Sequence, residues 1–191
     1  EPDFQPPEIA IEAFTKAMKE GRNKYTTTAG LPELRKKISQ MWHHLYPELD
    51  ESNVCITMSG TNALLDIFLA IVNPGDKVMI PEPYFPLYGP DVVLTGGEAR
   101  YYPCMFENEF IPSIEDLEEL VDENTKAILY NFPSNPTGAM LTIEQRDVLL
   151  NFAKKHNLWI ITDEVYDRII YEGEHISFIG TDYDRVLLIN S

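Results

Sequence analysis

Cysteine is nearly absent: the 191 residues include only Cys55 and Cys104. Two thiols cannot build the disulfide framework of a small secreted domain, and neither has a partner at metal-ligand spacing. Both fall in stretches that read as strands and are expected to be buried free thiols, the usual state of unpaired cysteine. Long apolar runs are also missing. The longest, residues 63–72, is interrupted by Asp66 and falls short of the ~18 residues a membrane-spanning helix requires. Basic residues are scarce, with 15 Lys+Arg against 31 Asp+Glu and a formal net charge of −16. A surface of that sign repels phosphate backbones and anionic lipid, which argues against nucleic-acid and membrane partners. Repeats and low-complexity tracts are lacking, and the opening residues carry no signal-peptide pattern. What is there is an ordinary globular balance, 44% apolar and 24% charged, long enough for one large domain or one lobe of a bigger protein. A soluble, cytoplasmic protein is expected.

Both ends of the sequence read as cut. Glu1 opens a polar, turn-like stretch running to Pro7, and residues 185–191 read as a strand with no turn after it. A strand edge needs pairing and cover, so a portion of a longer chain is expected. Between the ends, helical and strand patterns alternate. Residues 8–20 place Ile9, Ala13, Phe14 and Ala17 on one helical face before Gly21, and residues 31–46 follow as a helix with Pro32 in its first turn. Strands are expected over residues 54–58, 77–80, 99–105, 126–131, 159–162 and 185–189, with helices over 63–72, 84–94, 114–121 and 142–156. The 84–94 helix carries a kink near Gly89-Pro90, and Ser113 caps the next one with Asp116 at the capping-box position. Such alternation predicts an α/β fold of three layers, with a mostly parallel sheet covered on both faces. Ligands of such sheets bind outside the C-terminal ends of the strands, so four strand ends are the places to look for chemistry.

The first is Ser59-Gly60-Thr61, between a strand and a helix start. Gly lets backbone approach a ligand, and first-turn N–H groups attract an anion, although Ser and Thr cap helices without any ligand. The second is the stiff loop of residues 81–88, in which three prolines present Tyr84, Phe85 and Tyr88; such a cluster serves either core packing or a site. The third is residues 131–138, where Pro136 and Gly138 make a turn and Asn135 adds a side-chain amide that both donates and accepts. The fourth is Asp163-Glu164-Val165-Tyr166, closing the apolar run Trp159-Ile160-Ile161. Strand alternation aims only one of the two acids at a given site. A carboxylate against an apolar sheet is costly unless it meets a cation or strong donors, so Asp163 or Glu164 is the strongest single candidate.

The histidines point elsewhere. His43 and His44 are helix neighbours whose rings diverge by about 100° and cannot chelate one metal together. His156 fits a favourable helix-dipole position, His175 is expected in solvent, and the charge-dense residues 107–122 read as a solvated face. No metal site is expected.

The ordered set of these features resembles the large domain of fold-type I, pyridoxal-phosphate-dependent class I/II aminotransferases over essentially the whole chain. The resemblance rests on Glu1-Pro2-Asp3-Phe4, Tyr25 through Gly30-Leu31-Pro32-Glu33-Leu34-Arg35, Ser59-Gly60-Thr61, Asn73-Pro74-Gly75-Asp76, Pro83-Tyr84-Phe85, Asn135-Pro136-Thr137-Gly138 and Asp163-Glu164-Val165-Tyr166. It implies the aspartate aminotransferase-like fold, with residues 1–24 leading in from a small domain and residues 25–191 forming part of the cofactor-binding large domain. It implies pyridoxal 5′-phosphate as cofactor, an amino acid and a 2-oxo acid as substrates, and ping-pong alternation of two half-reactions. Ser59, Gly60 and Thr61 would cradle the cofactor phosphate, and Ser191 would also contact it. Phe85, where many relatives use Trp or Tyr, would stack on the pyridine ring. Asp163 would keep the pyridine nitrogen protonated, and Asn135 and Tyr166 would hydrogen-bond the phenolic oxygen. Tyr25 would reach the phosphate of a neighbouring subunit, implying a homodimer with shared sites.

The same resemblance puts the Schiff-base lysine three residues beyond Ser191, with the substrate-carboxylate arginine later still, so these residues alone are expected to be inactive. It also leaves room for a lyase or synthase of the same fold, or a regulatory domain fused to a DNA-binding one. Donor preference is not encoded in the motifs.

Overall fold

The computed structural model describes residues 5–191, so the Glu1-Pro2-Asp3-Phe4 motif lies outside the described residues. Helices α1 (Glu8–Lys19) and α2 (Pro32–Trp42) precede α3 (Gly60–Ile71). Strand and helix then alternate: β1 (Lys77–Glu82), α4 (Tyr88–Leu94), β2 (Glu98–Pro103), α5 (Ile114–Leu120), β3 (Thr125–Asn131), α6 (Ile143–Lys155), β4 (Trp159–Asp163) and β5 (Val186–Ile189). The five strands form one sheet in the order β2-β1-β3-β4-β5, and every pairing is parallel. Strand order reverses between β1 and β3, which makes that gap the topological switch point where α/β sheets take their ligands.

Both faces of the sheet are packed, as parallel pairing requires. Even and odd positions of the central strands part cleanly between two cores. Leu129, Ile161 and Ile189 join Leu64, Phe68 and Val92 of α3 and α4 on one face. Ile128, Tyr130 and Ile160 join Leu117 of α5 and Leu149, Leu150 and Phe152 of α6 on the other. Fully burying a side chain of this size contributes ~1.5–3 kcal/mol. The helix starts follow local chemistry. Thr142 and Gln145 form a reciprocal capping box at α6, with Gln145 N–H to Thr142 Oγ1 at 3.2 Å and Thr142 N–H to Gln145 Oε1 at 2.8 Å. Ser113 accepts the Asp116 N–H at 3.1 Å, but its hydroxyl donates to the Asp116 carboxylate at 2.6 Å, so the return bond is side chain to side chain.

Four expectations change. Residues 54–58 form no strand. The chain there is extended, with Ile56 N–H bonded to Ala29 O at 2.9 Å and Val54 O accepting from Arg35 Nε at 2.7 Å, but no ladder runs alongside it. Cys55 is consequently exposed; Cys104 is buried, and burial pushes its thiol up to about 12. The 84–94 helix begins only at Tyr88, since a proline disfavours helical backbone in the residue before it and Pro86 so keeps Phe85 out of the helix. Helix α1 is amphipathic as expected, yet none of its residues is buried: Ile9 is 76% and Phe14 68% exposed.

Candidate active site

A cavity of about 280 Å³ opens at the C-terminal mouth of the sheet, beside the reversal between β1 and β3. Helix α3 closes one side. Ser59 Oγ accepts the Asn62 N–H at 3.1 Å and Ser59 O accepts the Ala63 N–H at 3.0 Å. The Gly60 and Thr61 N–H groups are left at the open end of the helix, where the partial positive charge of the dipole favours an anion. Ser191, just past β5, lines the same end of the cavity. Gly60 is not a packing requirement, because an added Cβ would meet only Ile189 Cγ2 at an ordinary 3.5 Å.

Phe85, on the loop after β1, forms a wall and meets Tyr88 edge-on with ring centroids 5.5 Å apart. Asp163, the last residue of β4, lines the same cavity. Tyr88 OH donates to its Oδ2 at 2.7 Å, and Val165 N–H reaches its Oδ1 at 3.3 Å. Burial holds the Asp163 carboxyl above its ordinary range and outweighs those two hydrogen bonds; the charge of Glu164 next door pushes the same way. Burial likewise raises the Tyr88 phenol, helped by the Asp163 charge, so it stays a donor. Among the described residues, no Lys or Arg lines the cavity. Ionised, Asp163 is favoured by a cation or a strong donor placed in the cavity.

Asn135 and Tyr166 line the cavity from the loops after β3 and β4. Asn131 ties those loops together: its Nδ2 donates to Asp163 O at 2.9 Å and its Oδ1 accepts Asn135 N–H at 2.7 Å. The turn carrying Asn135 closes through Gly138 N–H to Ser134 O at 2.8 Å, with Gly138 at φ 75°, a conformation natural to glycine.

The structure thus brings Ser59, Gly60, Thr61, Phe85, Asn135, Asp163, Tyr166 and Ser191 to one cavity. Tyr25 stays apart and is wholly exposed. Of the two acids at the strand end, Asp163 faces the cavity and Glu164 lies buried on the reverse face. His175 is not solvated: its Nε2 lies 2.7 Å from Glu164 Oε2. His156 adds a carboxylate partner to its helix-end position, with Nε2 3.1 Å from Glu118 Oε2. Sequence reasoning passed over Tyr88 and Asn131 as individual contributors. Tyr88 closes the aromatic loop and Asn131 opens the Asn-Phe-Pro-Ser-Asn stretch, so both stood within the segments singled out, but nothing local marked their partners.

A helix start, an aromatic wall and a buried carboxylate thus face one cavity. The family model "Aminotransferase class I and II" matches residues 1–191, and the chain belongs to that family. It is 36% identical over 193 residues to an aspartate aminotransferase of Thermotoga maritima, covering all of this chain and 51% of that protein. Identity is 35% over 195 residues to an aspartate/prephenate aminotransferase of Thermus thermophilus, covering all of this chain and 50% of that one. Among solved structures, Thermus thermophilus aspartate aminotransferase with maleate matches with a TM-score of 0.95 at 34% identity, over all of this chain and 50% of that one. An alanine aminotransferase from Pyrococcus furiosus matches with a TM-score of 0.93 at 39% identity, over 98% of this chain and 48% of that one. The likeness bears out the aspartate aminotransferase-like fold. The chain spans about half the length of the curated relatives it matches.

Proposed function

We propose that the protein carrying this chain transfers an amino group between an amino acid and a 2-oxo acid, using pyridoxal 5′-phosphate held in the cavity beside Asp163. The single observation that carries this reading is the Asp163 carboxylate, buried by the sheet end, held by Tyr88 OH at 2.7 Å and facing the cavity that Ser59, Gly60, Thr61 and Phe85 also line. When bound, pyridoxal phosphate supplies an electron sink conjugated to the amino carbon of the substrate.

Nine of the cavity residues have a task in that reading. Asp163 accepts the proton-bearing pyridine nitrogen in a charge-assisted hydrogen bond, worth ~1.5–3 kcal/mol. Tyr88 keeps one carboxylate oxygen occupied and so orients the other. Phe85 stacks on the ring face without adding a polar atom. Ser59, the Gly60 and Thr61 amides and Ser191 hold the phosphate. Asn135 and Tyr166 hydrogen-bond the phenolic oxygen and set the basicity of the group beside it. Residues 25–191 are then the cofactor-binding part, with residues 1–24 leading into it. The exposed apolar side of α1 and the free Tyr25 ring suit a homodimer in which Tyr25 reaches the partner's site, in a cytoplasmic setting. The relatives' names span aspartate, prephenate and alanine, so the substrate class proposed is amino acid and 2-oxo acid.

The test is nitrogen transfer. The intact protein, loaded with pyridoxal phosphate and given ¹⁵N-labelled amino acids with unlabelled 2-oxo acids, is expected to return label in the new amino acid. Release of ammonia with breakdown of the side chain, without label transfer, would make it a lyase instead.

A further inference from the structure

We propose that Glu164 is a positioning residue: from the reverse face of the sheet, its buried carboxylate locks the strand end that aims Asp163 into the cavity. The proposal rests on the cofactor reading above. Successive residues on an extended chain point to opposite faces, so Asp163 and Glu164 share one peptide link and anchor in different cores. Glu164 is 1% exposed. Oε1 receives the Thr162 hydroxyl at 2.9 Å, the Ser177 hydroxyl at 3.0 Å and the Phe178 N–H at 3.2 Å, while Oε2 pairs with His175 Nε2 at 2.7 Å.

Three of those four partners come from residues 175–178, and that segment is itself held. Phe178 stacks on Tyr130 with centroids 5.0 Å apart. Arg146 Nη1 donates to Ser177 O at 2.8 Å, and Ser177 Oγ accepts Ile179 N–H at 3.0 Å. The Glu164 main chain is fixed on both sides, with its N–H to Ile189 O at 2.9 Å and its O accepting Asn190 Nδ2 at 3.2 Å. Any rotation of the shared peptide that turned Asp163 from Tyr88 would pull Glu164 out of this cage. A buried carboxylate without donors is strongly disfavoured, so the reverse-face contacts hold the cavity-face geometry.

The experiment compares Glu164→Gln with Glu164→Leu in the intact protein. Both remove the charge, and only Gln keeps acceptor and donor atoms for the cage, since His175 can switch tautomer to accept from an amide. The first readout is ¹³C-carboxyl NMR titration of Asp163 in the cofactor-free protein, assigned through Asp163→Asn. The midpoint in the Leu variant is expected above that in the Gln variant, because the Tyr88 and Val165 hydrogen bonds that favour the ionised form are loosened. The second is pyridoxal phosphate affinity by equilibrium dialysis, expected to be weaker in the Leu variant by about tenfold or more and restored by Gln, as for outer groups that orient a ligand-holding residue. Should the Leu variant not fold, His175→Leu removes one cage contact and is expected to move both readouts in the same directions. Matching titration midpoints in Gln and Leu variants would overturn the positioning role. Absence of pyridoxal phosphate binding in the unmutated protein, with the midpoint difference present, would overturn the cofactor reading alone.

Discussion

Burying the Asp163 carboxyl costs local stability. Its folded pKa lies above the ordinary 3.8 because burial opposes ionisation. Between those two values the folded state binds more protons than the unfolded one, so its contribution to stability falls as pH rises from 3.8 through the raised folded value. Asp163→Asn keeps an acceptor for Tyr88 and removes this titration. In the cofactor-free protein it is expected to gain on the unmutated protein as pH rises through that window, by urea denaturation at several pH values, while losing pyridoxal phosphate affinity. Tyr88→Phe acts in the other direction. It leaves Asp163 Oδ2 without its 2.7 Å donor, and is expected to cost ~1–3 kcal/mol of stability at neutral pH, measured in the same denaturation series. Asp163 was legible as one of two adjacent acids ending an apolar run. Its orienting partners were not, because Tyr88 lies 75 residues away in sequence and Asn131 lies 32 away. Only the sheet order, with β1, β3 and β4 adjacent in space, brings them together.

At the scale of elements, caps and periodicity carried most of the information. Helix α6 runs Ile143–Lys155 behind its Thr142 cap, within a residue of the expected span at each end. Thr142→Ala is expected to lower stability by ~1 kcal/mol and to leave pyridoxal phosphate affinity unchanged, a contrast that dialysis and thermal denaturation together can check. The strands of the central sheet were likewise readable, since strands buried on both faces are continuous apolar runs. Residues 54–58 have the same composition but no neighbouring ladder, and pairing is not a property that a single segment encodes. His175 was expected in solvent for a similar reason: its partner is Glu164, whose direction depends on the alternation of β4.

The whole molecule joins a doubly wound sheet to a cavity at the point where its strand order reverses. Helix α1 leaves Ile9 and Phe14 largely exposed on its amphipathic face, and the proposed homodimer covers them. Replacing both with Lys is expected to weaken self-association of the intact protein by about tenfold or more, given ~1.5–3 kcal/mol for each large apolar side chain buried, as read by sedimentation at several concentrations. An unchanged association constant would assign that face another role. In the proposed function, one cavity holds pyridoxal phosphate through Asp163 and the α3 amides. Its most direct test is equilibrium dialysis of the intact protein with pyridoxal phosphate, beside Asp163→Ala. One saturable site per chain is expected, with affinity lost by about tenfold or more when the charge-assisted bond is removed. No saturable binding, or equal affinity in the two proteins, would contradict it.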